Sequence, residues 1–191
     1  MIRLAVVGDI GSGKSYIAKK FGYPVFNADA EVTKLYKTSK KCFARLKKLL
    51  PQHIISFPIK KTELLKAIMI NQFNLKKIIK VIHPEVQIKM NKFLIKNRNK
   101  KIVVLDIPLF LENKINKKND ILIFVDAKKS QINKRLKKRK NFNLKLFKIL
   151  LKFQLPLEIK KKKSQYIIKN NFTKKSLKNN IIKILNKIKN D

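Results

Sequence analysis

Short, uniformly apolar segments alternate along this chain with longer segments in which apolar residues recur at helical spacing. The short segments are residues 2–7, 23–27, 102–107, 121–126 and 166–168. Uninterrupted apolar runs of this length are typical of strands that are buried on both faces of a parallel sheet. Because helical patterns follow the strand-like segments, the order predicts an α/β domain in which helices flank a parallel sheet.

One helical segment, residues 30–98, is too long to be a simple connection between neighbouring strands. Three prolines, Pro51, Pro58 and Pro84, punctuate its helical pattern. We interpret it as an inserted subdomain that binds a substrate or a partner. The sheet-forming core is then made of residues 1–29 and 99–191.

Two more helices are predicted in the C-terminal part of the chain. One is strongly basic and covers residues 128–140, and the other ends the chain. One face of the terminal helix is apolar and consists of Leu177, Ile181, Ile184, Leu185 and Ile188.

The composition narrows the classes of protein to consider. The 191 residues are 45% hydrophobic, and 48 Lys+Arg stand against 11 Asp+Glu, which gives a formal net charge of +37. A disordered chain combines high charge with low hydrophobicity, so a wholly disordered basic protein is excluded. Such a charge attracts polyanions, but only five of the basic residues are arginines, and nucleic-acid surfaces usually draw on arginine. We favour lysine accumulation from A- and T-rich coding sequence, with selection for nucleic-acid binding as the alternative.

Cysteine usage and hydropathy indicate the compartment. The single cysteine, Cys42, cannot form an internal disulfide, which fits a reducing cytoplasm. The apolar run near the N-terminus is too short for a signal peptide, and no run approaches 18 apolar residues. We expect a soluble cytoplasmic protein, without a membrane partner.

The segment G-D-I-G-S-G-K-S, residues 8–15, fits the phosphate-binding P-loop motif G-x-x-x-x-G-K-[ST]. Three of the four glycines in the chain lie in this segment, a strand is predicted before it and a helix after it. Backbone N–H groups of such a loop surround phosphate oxygens. Lys14 is expected to reach the β- and γ-phosphates and Ser15 to bind Mg²⁺. The motif alone fits kinases, GTPases and motor ATPases equally well.

Asp29 follows the second predicted strand, at the edge of the sheet where the phosphates are expected to bind. It is either a general base for an acceptor hydroxyl or the N-cap of a helix that starts at Ala30. Its position alone does not decide between these two roles.

Several motifs occur together in a fixed order along the chain. They are V-G-D-I-G-S-G-K-S (7–15), N-A-D (27–29), I-H-P (82–84), P-L-F-L-E (108–112), the arginines Arg135 and Arg139, and Gln154 with Asn170. In this order they resemble the T-G-G-I-G-S-G-K-[ST], D-A-D, L-H-P and P-L-L-x-E motifs and the paired lid arginines of the dephospho-coenzyme A kinases. The resemblance extends over residues 1 to about 171 and is quite specific to that family.

The resemblance implies a P-loop nucleoside triphosphate hydrolase-type sheet and ATP-dependent phosphorylation of the ribose 3′-hydroxyl of dephospho-coenzyme A. It implies that Asp29 is the catalytic base, assisted by Lys14 and Arg139, and that Ser15 binds Mg²⁺. The insertion corresponds to a coenzyme A-binding subdomain, and residues 135–160 to a lid over ATP. The implied ATP-binding residues are Gly8, Ile10, Gly11, Ser12, Gly13, Lys14, Ser15, Arg135, Arg139 and Asn170. The implied acceptor-binding residues are Asp29, His83, Pro108 and Glu112.

Some of these residues also have simpler interpretations. Arg135 and Arg139 are four apart, so a helix would place both on one face, either to bind phosphate or as a solvated basic surface. His83 either contacts substrate or begins a helix packed on the sheet, and Glu112 either holds substrate or caps a turn. Asp106 resembles a second Mg²⁺-linked carboxylate of P-loop proteins, although the family does not require one there. The lysines of residues 160–163 are most simply a solvated face; alternatively, one of them takes the place of a basic residue that the family has there.

Three departures from the family pattern bear on activity. Asp9 replaces a glycine inside the loop, and unless its side chain points away it should weaken ATP binding. Asn27 replaces the first Asp of D-A-D, and Gln87 stands where the family usually has Arg, so that one contact to a substrate phosphate is in doubt.

Two other functions compete with the kinase of coenzyme A synthesis. One is another P-loop nucleotide or small-metabolite kinase, and the other is a basic nucleic-acid-binding P-loop ATPase. The chain lacks a basic strand interleaved with the aromatic residues that stack bases, which disfavours the second. We expect ATP and dephospho-coenzyme A as partners, no stable nucleic-acid partner, and a monomer or small homo-oligomer.

Overall fold

A five-stranded parallel sheet forms the centre of the fold. The computed structural model describes residues 1–139 and 142–190. The strands are β1 (Ile2–Gly8), β2 (Val25–Asn27), β3 (Ile102–Asp106), β4 (Asp120–Asp126) and β5 (Tyr166–Lys169), in the spatial order β2-β3-β1-β4-β5. All neighbouring pairs are parallel. The predicted class, a parallel α/β sheet flanked by helices, is confirmed.

Helices lie between β1 and β2, between β2 and β3, between β4 and β5, and after β5. They are, in chain order, α1 (Lys14–Lys20), α2 (Ala28–Thr38), α3 (Lys40–Leu49), α4 (Lys61–Ile70), α5 (Phe73–Lys96), α6 (Lys129–Lys137), α7 (Leu144–Leu151), α8 (Leu157–Lys162) and α9 (Lys174–Asn190). Within the described residues, no helix is both long enough and apolar enough to span a membrane.

The chain divides into two compact units. The core unit comprises Met1–Asn27, Asn97–Phe142 and Phe153–Asp191, and the helical unit comprises Ala28–Lys96 and Asn143–Lys152. Thus α7, from the middle of the predicted lid, groups with the inserted helices and packs against α4. The assignment of residues 135–160 to a lid stays a prediction. Lys140 and Asn141, which fall within it, lie outside the described residues.

Apolar side chains from the strands and two helices make the core of the core unit. The buried strand residues lie against Ile17 and Ala18 of α1 and against one face of α9. That face consists of Leu177, Ile181, Ile184 and Ile188, each at most 7% exposed, with Leu185 partly buried beside them. The terminal helix therefore buries the face that its spacing predicts. Burial of this surface drives the packing of α9 onto the sheet.

In the helical unit, α5 packs against α2, α3 and α4. The amide Nδ2 of buried Asn74 donates to the carbonyl oxygen of Ala67, 2.9 Å away, and so links α5 to α4. Pro84 interrupts the predicted helical pattern, yet α5 continues through it to Lys96. Residues on both sides of Pro84, Ile82 and Met90 among them, are buried. Their burial offsets the cost of the backbone hydrogen bond that proline cannot donate.

Candidate active site

The loop between β1 and α1 has a backbone that only glycine accommodates easily at two positions. Gly8 and Gly13 have φ angles of 144° and 94°. A Cβ atom at Gly8 would lie 2.8 Å from the carbonyl oxygen of Val125, and one at Gly13 would lie 2.6 Å from Nδ2 of Asn170. Both the backbone angle and the available space therefore require glycine. This explains why a chain with so few glycines has kept them in this segment.

Asn170, directly after β5, braces the loop. Its side-chain Nδ2 donates to the carbonyl oxygen of Ser12 at 2.8 Å, and its Oδ1 accepts from the N–H of Phe172 at 2.9 Å. Its own backbone N–H donates to the carbonyl oxygen of Asp126. Both ends of this buried amide are thus bonded to protein groups, so Asn170 positions the loop, and its predicted contact with ATP stays a prediction.

The loop offers hydrogen-bond donors suited to phosphate. The Lys14 ammonium folds back over the loop and lies 3.2 Å from the carbonyl oxygen of Gly8 and 2.6 Å from that of Asp9. The hydroxyl of Ser12 is fully buried and has no hydrogen-bond partner within the described part of the chain. Ser15, the second residue of α1, is exposed, so its hydroxyl is accessible to a cation. A buried hydroxyl without a partner is costly, which fits a loop built to receive a ligand.

Asp9 directs its carboxylate onto the loop itself. Its Oδ1 accepts a hydrogen bond from the backbone N–H of Ile10 at 2.7 Å. Ile10 is one of the residues that the sequence predicts to bind ATP. In this structure the amide of Ile10 is therefore already used by an anionic group of the protein.

The α6 segment borders the same loop. Ile132 and Leu136 are buried, and their side-chain carbons lie 3.0–3.1 Å from the position that a Cβ of Gly11 would take, which is closer than an ordinary van der Waals contact. The Arg135 guanidinium lies over the Phe172 ring, 4.4 Å from its centroid. The prediction that Arg139 shares a helical face with Arg135 is wrong, because α6 ends at Lys137. Leu136 is the last buried residue of α6, and residues 137–139 after it are all basic, so they do not extend the apolar face that packs the helix.

A polar pair lies at the carboxyl ends of β2 and β3. Asn27 and Asp106 are opposite each other in the parallel register, and the Asn27 amide donates to the Asp106 carboxylate. Asp106 is only 4% exposed. The family pattern has an aspartate at position 27, whose carboxylate would repel the buried Asp106 carboxylate. The Asn27 amide instead stabilises Asp106 by a hydrogen bond. Within the described residues no group of three or more His, Cys, Asp or Glu side chains forms a metal site.

Asp29 is exposed and lies in the first turn of α2. Because α2 begins at Ala28, directly after β2, the alternative interpretation of Asp29 as the N-cap of a helix starting at Ala30 is wrong. Burial is the main cause that raises the pKa of Tyr36, and the nearby Cys42 and Asp29 add to it. The Asp29 carboxylate thus disfavours the charged form of the Tyr36 side chain.

His83 lies inside α5, so the alternative interpretation that it begins a helix is wrong. Partial burial lowers the pKa of His83, which favours the neutral imidazole at neutral pH. Pro108 is exposed in the turn that follows β3. Neither residue has a contact that assigns it to substrate, so both assignments stay predictions.

Glu112 is held by two groups of the core unit. Its Oε1 lies 2.6 Å from the Lys160 ammonium and accepts from the Leu155 N–H at 3.0 Å. Lys160 is 3% exposed, so the prediction of a solvated lysine face at residues 160–163 is wrong for this residue. The family's basic residue in this segment was the one signal in the sequence that could have singled out Lys160.

A parallel sheet in the order 2-3-1-4-5, with a phosphate-binding loop after its central strand, defines a P-loop α/β protein of the kinase type. The same fold occurs in TT1252 from Thermus thermophilus (TM-score 0.80, 24% identity, 98% of this chain and 97% of that chain). It also occurs in the dephospho-CoA kinase from Campylobacter jejuni (TM-score 0.64, 23% identity, 97% of this chain and 96% of that chain). At these identities the likeness shows the fold alone.

Sequence comparison narrows the class to one family. The family model described as dephospho-CoA kinase matches residues 2–176. A dephospho-CoA kinase of Bartonella quintana is 33% identical over 192 residues, which covers 98% of this chain and 96% of the relative. That of the Wolbachia of Brugia malayi is 32% identical over 176 residues, 90% of each chain. The chain belongs to the dephospho-CoA kinase family, the transferases that convert dephospho-coenzyme A to coenzyme A in the last step of coenzyme A synthesis. The resemblance found in the sequence is confirmed.

Proposed function

We propose that this chain transfers the γ-phosphoryl group of ATP, with Mg²⁺, to the 3′-hydroxyl of the ribose of dephospho-coenzyme A. The observation that carries the proposal is the glycine-dependent loop after β1, which presents Lys14 and Ser15 in a chain of this family. The products are coenzyme A and ADP.

On the nucleotide side, the loop amides and the Lys14 ammonium hold the phosphates. The buried Ser12 hydroxyl, which has no partner in the described chain, and the exposed Ser15 hydroxyl fit a phosphate and a magnesium ion respectively. Mg²⁺ neutralises charge that develops on the transferred group when it is bound. Arg135 and Arg139 are proposed to add positive charge from the α6 side, where Arg135 is held over Phe172.

On the acceptor side, Asp29 is proposed to take the proton from the ribose 3′-hydroxyl. As that proton moves to the carboxylate, the hydroxyl oxygen forms a bond to the γ-phosphorus, and the bond from that phosphorus to the leaving ADP oxygen breaks. Two observations support this role: Asp29 is exposed, and it follows the carboxyl end of a strand in the sheet that carries the loop.

The remaining proposed acceptor contacts differ in their support. His83 and Pro108 are accessible enough to contact a substrate, and the neutral His83 would recognise it by hydrogen bonding without adding charge. Glu112 is bonded to Lys160 and to the backbone of Leu155. These contacts support a positioning role for Glu112 beside the site.

An acceptor panel tests the proposal. ADP formation is measured with dephospho-coenzyme A, nucleoside monophosphates or shikimate as acceptor, with and without Mg²⁺, and the product is identified by mass and by the position of the new phosphate. We expect turnover with dephospho-coenzyme A and Mg²⁺, and its loss in Lys14→Ala. Lys19→Ala, an exposed lysine of the same helix, is the matched control. A better acceptor than dephospho-coenzyme A, or full activity of Lys14→Ala, contradicts the proposal.

A further inference from the structure

Asp9 is an acid inside a loop whose purpose is to bind an anion. Its Oδ1 accepts from the Ile10 N–H at 2.7 Å, while the backbone carbonyl of the same residue accepts from the Lys14 ammonium at 2.6 Å. The side chain of Asp9 thus occupies a loop amide that would otherwise be available to a phosphate, while its backbone carbonyl takes only one of the three N–H donors of Lys14. The kinase chemistry described above uses no carboxylate at this position.

We propose that the Asp9 carboxylate is a specificity-determining group that makes the loop bind Mg²⁺-complexed ATP in preference to free ATP. This inference rests on the proposed function of the loop as the ATP site. The carboxylate acts by occupying the Ile10 amide and by repelling the phosphates, so it is an internal competitor of the nucleotide.

The Asp9 carboxylate and a phosphate cannot both bind the Ile10 amide, because they would occupy the same position. A phosphate oxygen that accepted from the Ile10 N–H would lie about 3 Å from that nitrogen, where the carboxylate oxygen now lies. The two anionic groups would then be in contact, so the carboxylate must either leave the amide or keep the phosphate away. Like charges at this separation repel strongly even at a partly solvated site.

The charge of the nucleotide determines how strongly the Asp9 carboxylate repels it. Free ATP carries about four negative charges at neutral pH, and bound Mg²⁺ neutralises about two of them. The same carboxylate therefore repels free ATP about twice as strongly as the magnesium complex. A neutral residue at position 9 would lose most of this discrimination.

Nucleotide affinity is measured by isothermal titration with ATP in EDTA and with ATP in excess Mg²⁺. The variants are Asp9→Asn, which keeps a side-chain oxygen, and Asp9→Ala, which removes it. We expect Asp9→Ala to bind free ATP about tenfold more tightly and Mg²⁺-ATP about threefold more tightly than the wild type. Asp9→Asn, whose oxygen still accepts from the Ile10 N–H, should gain less in each condition, and again more for free ATP than for Mg²⁺-ATP. Glu85→Gln removes one charge from α5, outside the predicted lid and the predicted ATP-binding residues, and controls for net charge.

The outcomes separate this inference from the proposed function. If the wild-type chain binds no ATP under either condition, the proposed nucleotide site fails. If the wild type binds ATP but Asp9→Asn binds free ATP no more tightly, or gains equally with and without Mg²⁺, the Asp9 inference is overturned. The same gain in Glu85→Gln would also overturn it. Thermal unfolding of each variant, without nucleotide, shows whether a lost affinity comes from a loosened loop.

Discussion

Replacing Lys160 by methionine would leave a buried carboxylate without its cation. The Lys160 and Glu112 side chains are 4% and 9% exposed, and their charged atoms are 2.6 Å apart. Removing one partner of a buried pair costs about 3–5 kcal/mol, and solvent screening is weak at this burial. The Leu155 N–H still donates to Glu112, so the lower end of the range applies. For a chain of this size, a loss of about 3 kcal/mol lowers the Tm by about 10 °C.

Thermal and urea unfolding, followed by circular dichroism, measure this loss. Lys162→Met, an exposed lysine on the same helix, is the matched control and should change the free energy of unfolding by less than about 0.5 kcal/mol. The double variant Glu112→Gln/Lys160→Met removes both charges, so it should lose less than the sum of the two single variants. If Lys160→Met is as stable as Lys162→Met, or if the two single losses simply add, the buried-pair reasoning is refuted.

Kinetics of the same variants show what Glu112 does. If it positions the chain between α7 and α8, Glu112→Gln and Lys160→Met should affect stability and activity in parallel. If it binds dephospho-coenzyme A, as the sequence predicts, Glu112→Gln alone should raise the KM for that substrate.

Two further predictions follow from single side chains. Burial lowers the pKa of His83 in the folded chain, so near pH 6.5 the imidazole takes up a proton more readily in the unfolded chain than in the folded one. The free energy of unfolding should therefore fall as the pH drops below about 6.5, and His83→Gln should reduce that fall. Urea midpoints at pH 7.5 and 5.5 measure this, and equal pH dependence in both proteins contradicts it. Arg135→Lys keeps the charge but cannot stack its cation on Phe172 in the same way, so we expect the KM for ATP to rise about threefold. Steady-state kinetics at varied ATP concentration measure this, and an unchanged KM contradicts it.

The strands and the loop could be predicted because their signals are local. A strand that is buried on both faces has an uninterrupted apolar sequence. The positive φ angles in the loop require glycine at positions 8 and 13. The apolar face of α9 was likewise visible as spacing. The family motifs then added the order of the functional residues.

The features that sequence did not predict depend on contacts between distant residues. Lys160 is buried because Glu112, 48 positions earlier, neutralises it. Asn27 bonds Asp106 only because β2 and β3 are neighbours in register. Arg139 lies outside α6, which ends just after its last buried residue, Leu136. The helix α5 continues through Pro84, with buried residues on both sides of the proline.

The rate of coenzyme A formation by Asp29→Asn, measured together with its ATP affinity, tests the proposed mechanism most directly. The change removes the proton acceptor but keeps the size of the side chain. We predict wild-type ATP affinity within about twofold and a rate of coenzyme A formation lowered by about 10²-fold or more. A rate within about tenfold of the wild type, with ATP affinity intact, would contradict the assignment of Asp29 as the catalytic base.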